Sequence, residues 1–121
     1  MSLKERLKNA KRKVIKTVSL GEETVTLCRP THTERIAVMS AARAAGEIGE
    51  DEKPIGVGGA LRSIARMAAA VIYNPEATER VFDPTDNADV DAVCSAPWAE
   101  DIAKDVAQAF TPSFEEVKGN S

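Results

Sequence analysis

Aromatic side chains are scarce in this chain: one Trp, one Tyr and three Phe among 121 residues. A core with so few rings must be aliphatic and alanine-rich, which favours closely packed helices over a large β-sandwich. Histidine occurs once, at His32, and cysteine twice, at Cys28 and Cys94. A single histidine at the start of a helix gives no base for a hydrolytic triad, and Cys28 nearby is not joined by a second ligand pair. Two cysteines so far apart in sequence match no metal spacing and read as small buried hydrophobes. No apolar run approaches the ~20 residues that cross a bilayer. The opening MSLKERLKNAKRK is basic but leads into no apolar stretch, so it lacks the form of a secretory signal. These absences predict a non-enzymatic cytoplasmic protein, with no catalytic, cofactor-binding or metal-binding residue to nominate and no membrane partner.

What is present is a hydrophobic fraction of 43% beside 29% charged residues, the balance of an ordinary globular domain. The net charge of −3 conceals a polarity. Lys4, Arg6, Lys8, Lys11, Arg12, Lys13 and Lys16 stand against Glu5 alone, so residues 1–16 carry +6 and residues 17–121 carry −9. The acidic body is a poor nucleic-acid surface. The arm is open to three uses: contact with phosphates, docking on an acidic protein surface such as the body of a second subunit, or simple solvation.

The pattern predicts an α+β fold, mainly helical, with an N-terminal β-hairpin followed by about four helices packed as a small bundle. Residues 1–13 form the basic arm, with a short helix possible over 3–12, and residues 14–110 the globular domain; residues 111–121 read as a flexible tail. Val14, Ile15, Thr17 and Val18, then Thr24 to Leu27, are strand formers on either side of Leu20-Gly21-Glu22-Glu23, giving a hairpin over 14–28. Thr31 and Glu34 have capping-box spacing before a helix over 33–48, with Ala37, Ala41, Ala44 and Ile48 down one stripe. GEIGEDEKPIGVGG then reads as a mobile loop. The strongest periodicity predicts a core helix over 59–73, with Leu61, Ile64, Ala65, Ala68, Val71 and Ile72 on its inner face and Arg62 and Arg66 on another. Asn74-Pro75 stops it, and Arg80-Val81-Phe82 can be extended. Two further helices follow, over 86–95 and 98–110.

The acidic run from Asp83 to Asp91 can be placed in a calcium-loop frame, but Ala88 stands where the bend requires Gly and Cys94 where the bidentate Glu belongs. A helix cap by Asp83, Thr85 or Asp86 accounts for the same acids. Gly56-Val57-Gly58-Gly59 lacks the Lys-Ser/Thr of a P-loop and reads as a loop at a helix start.

Three segments carry a resemblance. Leu27-Cys28-Arg29-Pro30-Thr31 closes the hairpin, Thr33-Glu34-Arg35 opens a helix, and Val81-Phe82-Asp83-Pro84-Thr85-Asp86 forms a turn after an apolar helix. In this order, over about residues 14–110, the chain resembles the tail assembly chaperones of long-tailed, siphovirus-like bacteriophages and prophages. It departs from them in the Gly-rich segment 46–59 and in lacking a Val/Cys-rich strand before the Phe turn. The resemblance implies a viral assembly protein that binds and solubilises the helical tape measure protein and helps recruit tail tube subunits, as a monomer or a homo-oligomer. On it, the expected contact residues are Ala37, Ala41, Ala44 and Ile48, with Val25 and Leu27 of the hairpin. The alternative is a small nucleic-acid-binding accessory protein that uses Lys4, Arg6, Lys8, Lys11, Arg12 and Lys13.

Overall fold

The computed structural model describes residues 1–111. The segment 112–121, which contains most of the expected tail, lies outside the described residues. The elements run α1 (Leu3–Lys8), β1 (Val14–Leu20), β2 (Glu23–Cys28), α2 (His32–Ala44), α3 (Gly56–Val71), β3 (Ile72–Tyr73), α4 (Asn87–Cys94) and α5 (Ala99–Phe110). The class is α+β, with the expected hairpin followed by helices.

Strand β2 is the middle strand of an antiparallel sheet ordered β1-β2-β3. The third strand was not expected: Ile72 and Tyr73, assigned by periodicity to the end of the core helix, pair instead with Leu27 and Thr26. Residues directly opposite in such a ladder share a face. Leu27 and Ile72 therefore face the core, and both are fully buried. Thr26 and Tyr73 share the reverse face, where the Thr26 hydroxyl donates to the Pro75 carbonyl (2.9 Å). Arg80 forms a single bridge with Tyr73, so the extended piece foreseen there is short.

Helices α3 and α5 pack on the core face of the sheet, and α4 closes one side of them. The core is aliphatic as composition required: Leu20, Val25, Leu27, Val38, Ala65, the run Ala68–Ile72, Val90, Val93, Ile102, Val106, Ala109 and the single ring of Phe110. Phe82 and Trp98, ring centroids 6.3 Å apart, tie the turn before α4 to the start of α5.

Helix α2 begins as predicted. The Glu34 amide donates to Thr31 Oγ1 and the Thr31 amide to Glu34 Oε1, completing the capping box. It ends at Ala44, not at residue 48. Gly46 takes φ +76°, and the Gly46 and Glu47 amides donate to the Arg43 and Ala42 carbonyls, which is the Schellman closure. At the far end of the molecule, Arg29 donates to the Ala109 and Gln108 carbonyls (2.7 and 3.0 Å) and Arg35 to the Phe110 carbonyl (3.2 Å). Two arginines thus satisfy the last carbonyls of α5, which otherwise lack partners.

The segment after α2, expected as a mobile loop, folds back on itself through backbone pairing. Ile48 bridges Pro54, the Gly49 amide donates to the Lys53 carbonyl, and the Ile55 amide to that of Glu47. Its anchor is Arg66, expected on an outer face but 0% exposed. Arg66 Nε and Nη2 donate to the two Glu47 oxygens (2.9 and 2.7 Å), Nη1 to the Pro84 carbonyl (2.7 Å), and Nη2 also to Asn87 Oδ1 (2.8 Å). A charge removed from water needs this degree of pairing. The helix could place an arginine on its inner side because Glu47 is delivered there by the tight turn at Gly46.

Candidate partner-binding groove

Helix α3 is amphipathic, but the body covers only part of its apolar side. Ala65, Ala68, Ala69 and Val71 are buried, whereas Leu61, expected among them, is 57% exposed. Leu61 and Ile64 form one wall of a groove of about 470 Å³ whose other wall is α5, through Ala99, Glu100, Ala103 and Val106. Val93 and Cys94 of α4, with Ala96 and Pro97 after it, close one end. The space exists because the facing positions are small: Ala65 and Ala68 across from Ala99 and Ala103 leave room that no larger side chain of the chain fills. Beyond the groove, Ile55 and Val57 extend the apolar surface, the latter 76% exposed.

The walls are held by ion pairs behind them. Arg62 contacts Glu47 (3.4 Å) and makes a close pair with Asp91, linking α3 to α4. The bond to Asp91 holds the Arg62 guanidinium above its ordinary pKa, with burial opposing. Glu100 is the one charged residue among those lining the groove. Such a surface accepts apolar side chains. It sets no nucleophile beside a base, and Cys94 is the only thiol on it. Cys94 is exposed, contrary to the expectation of burial, while Cys28 is buried as expected. Burial pushes the Cys28 thiol up, with Arg12 opposing.

The expected contact residues do not form a surface together. Val25 and Leu27 are spent in the core, 8% and 0% exposed, because their side chains share the sheet face that α3 and α5 cover. Ile48 is buried beneath the turn that follows α2 and is not on that helix. Ala37 and Ala44 are exposed and Ala41 half-buried, since α2 packs through Val38 and Ala42 instead. Leu61 and Ile64 were visible in the periodicity, but their repeat runs one turn past what the body covers, and only the packing reveals which turn is left open.

On the basic arm, Lys4, Arg6, Lys8 and Lys11 are exposed, and Lys13 is exposed with its carbonyl accepting from the Arg29 amide. Arg12 departs from the expected group. It donates to Glu34 Oε1 at 2.5 Å and lies over the Tyr73 ring at 4.8 Å, which makes it part of the fold. Burial works to raise the Glu34 carboxyl, yet Arg12, the Thr31 amide and Arg80 together hold it below the ordinary carboxylate range. His32 is exposed at the first position of α2. In the acidic run, Asp86 caps α4 through the Ala88 amide (2.9 Å), and Asp83 Oδ1 accepts from the Thr85 amide and hydroxyl (2.9 and 2.7 Å). Among the described residues, no three His, Cys, Asp or Glu side chains come together as metal ligands, and no helix is long and apolar enough to cross a membrane.

Comparison of the chain with protein-family models, with curated proteins and with solved structures gave no match.

Proposed function

We propose that this chain is a non-enzymatic binding protein that covers the apolar face of a partner helix, and that it acts as a tail assembly chaperone for a tape measure protein in the host cytoplasm. The observation that carries the reading is the open groove between α3 and α5, lined by Leu, Ile and Ala side chains and continued by exposed Ile55 and Val57. An amphipathic helix lays its apolar residues into a groove of this kind. A long helical partner exposes repeated apolar stripes and needs a cover that can leave again. The contact surface moves accordingly from the hairpin and the Ala37–Ala44 stripe to the groove, and tail tube subunits are the second expected partner.

The test is recovery of partners by the tagged chain from cells expressing its neighbouring genes, with and without nuclease. A long helical protein or a tail tube subunit, retained after nuclease and lost with Leu61→Asp and Ala103→Asp, supports the reading. The competing reading is nucleic-acid binding by the arm, which the exposure of Lys4, Arg6, Lys8 and Lys11 favours. Recovery that nuclease abolishes, and that survives the groove substitutions, would establish it instead.

A further inference from the structure

Helix α1 buries none of its residues. Leu3 and Leu7 are 63% and 67% exposed, and their i,i+4 spacing puts them on one face, with Lys4, Arg6, Lys8 and Lys11 around them. A helix of six residues is not stable alone in water, so its apolar face calls for a cover. The α3/α5 groove has the matching lack. It is apolar, its charged lining residue is the acid Glu100, and the chain beyond residue 16 carries −9 against +6 for residues 1–16. We propose that the basic helix α1 of one copy docks in the groove of a second copy, the two copies exchanging arms so that Leu3 and Leu7 fill the space between Leu61 and Ala103.

The arm does not serve its own groove in this structure. It is pinned at its root, where Arg12 binds Glu34 and Tyr73 and the Lys13 carbonyl accepts from the Arg29 amide. The concave surface beside α1 is made by Arg29, Pro30 and Thr31, none of which lines the groove. Reciprocal exchange between two copies fills both grooves and closes the assembly. The exchange rests on the groove as a binding surface and not on the identity of any partner. A partner helix then has to displace the arm, so the dimer is the stored form and the opened groove the working one.

The native Cys94 lies in the groove and Cys28 is buried, which allows a direct test with the full chain. Leu7→Cys is treated with a short bismaleimide, and size is followed by sedimentation at about 0.1 mM, where even weak dimers populate. The expected results are a cross-linked dimer joined between positions 7 and 94, absent when Cys94→Ser is added, and a wild-type dimer that becomes monomeric with Leu3→Asp and Leu7→Asp. Both substitutions replace exposed residues of a helix that buries none of its own, so the fold persists. A monomeric wild type, a dimer that survives the two Asp substitutions, or a 7–94 link within a single chain would each overturn the exchange. None of these outcomes bears on partner recovery by the groove, which is read separately from the nuclease-resistant pull-down.

Discussion

At the scale of single residues, neighbouring glycines in α3 have opposite roles. A Cβ on Gly59 would stand 2.3 Å from the Glu47 carbonyl oxygen, closer than any contact allows, whereas one on Gly58 meets nothing within 4 Å. Alanine is favoured over glycine inside a helix by roughly 1 kcal/mol. Gly58→Ala is therefore expected to raise stability by about 0.5–1 kcal/mol, while in Gly59→Ala the same gain is outweighed by overpacking of about 1–3 kcal/mol. Urea denaturation of the two variants separates them by sign. Glu34 gives a second residue-scale expectation. Its carboxyl lies below the ordinary range in the folded chain, so the stability it contributes is present above the unfolded pKa and is lost as pH falls through the folded one. Glu34→Gln keeps the capping-box oxygen but removes the charge that faces Arg12 and Arg80. The variant should be less stable near neutral pH by about 1 kcal/mol, and the gap should close as the pH drops below the ordinary carboxylate range. A gap that persists well below that range, where the folded carboxyl is itself protonated, would assign the effect to shape and not to charge.

At the scale of elements, one buried pair joins three parts of the chain. Glu47 comes from the turn after α2 and Arg66 from α3, and Arg66 also holds Pro84 and Asn87 at the entrance to α4. Arg66→Met leaves the Glu47 carboxylate with only the more distant Arg62 and should cost about 3–5 kcal/mol, whereas adding Glu47→Leu removes the stranded charge and should restore much of it. Denaturation of both single variants and the double variant tests the coupling, and additive losses would show that the two residues act independently. Much of this architecture was legible in the sequence. The hairpin followed from Val14–Val18 and Thr24–Leu27 around the Gly21 turn, and the α2 cap from Thr31 and Glu34. What escaped was decided by tertiary pairing. Ile72 and Tyr73 fit a helix period as well as a strand, and only the exposed edge of β2 selects the strand. Arg66 looks like a solvent-facing residue until the Schellman turn at Gly46 delivers Glu47 to its side, and a segment with four acids and several glycines gives no local sign of being pinned.

At the scale of the whole molecule, charge and apolar surface are separated: a cationic arm at one end of the chain, and an apolar groove in an acidic body. Composition revealed the first and hid the second. The Ala stripe of 37, 41 and 44 was expected to make contact and Leu61 and Ile64 to be buried, because residues at helical spacing serve equally to bury a helix or to leave a groove beside it. Salt distinguishes which surface recruits the partner. Phosphate contacts by Lys4, Arg6, Lys8 and Lys11 release counterions, so nucleic-acid capture through the arm should fall steeply, by some orders of magnitude, between about 50 mM and about 200 mM salt. Apolar burial in the groove does not depend on counterions, and only the arm's long-range attraction is screened, the Debye length being about 10 Å at 0.1 M. Partner capture by the groove should therefore persist at about 0.5 M salt, with at most a slower association. Binding isotherms of the recovered partner across this range measure both behaviours directly. A retained affinity, abolished by Leu61→Asp and not weakened by deletion of residues 1–11, assigns recognition to the groove. A steep salt slope that vanishes with the same deletion assigns it to the arm and removes the basis of the chaperone proposal.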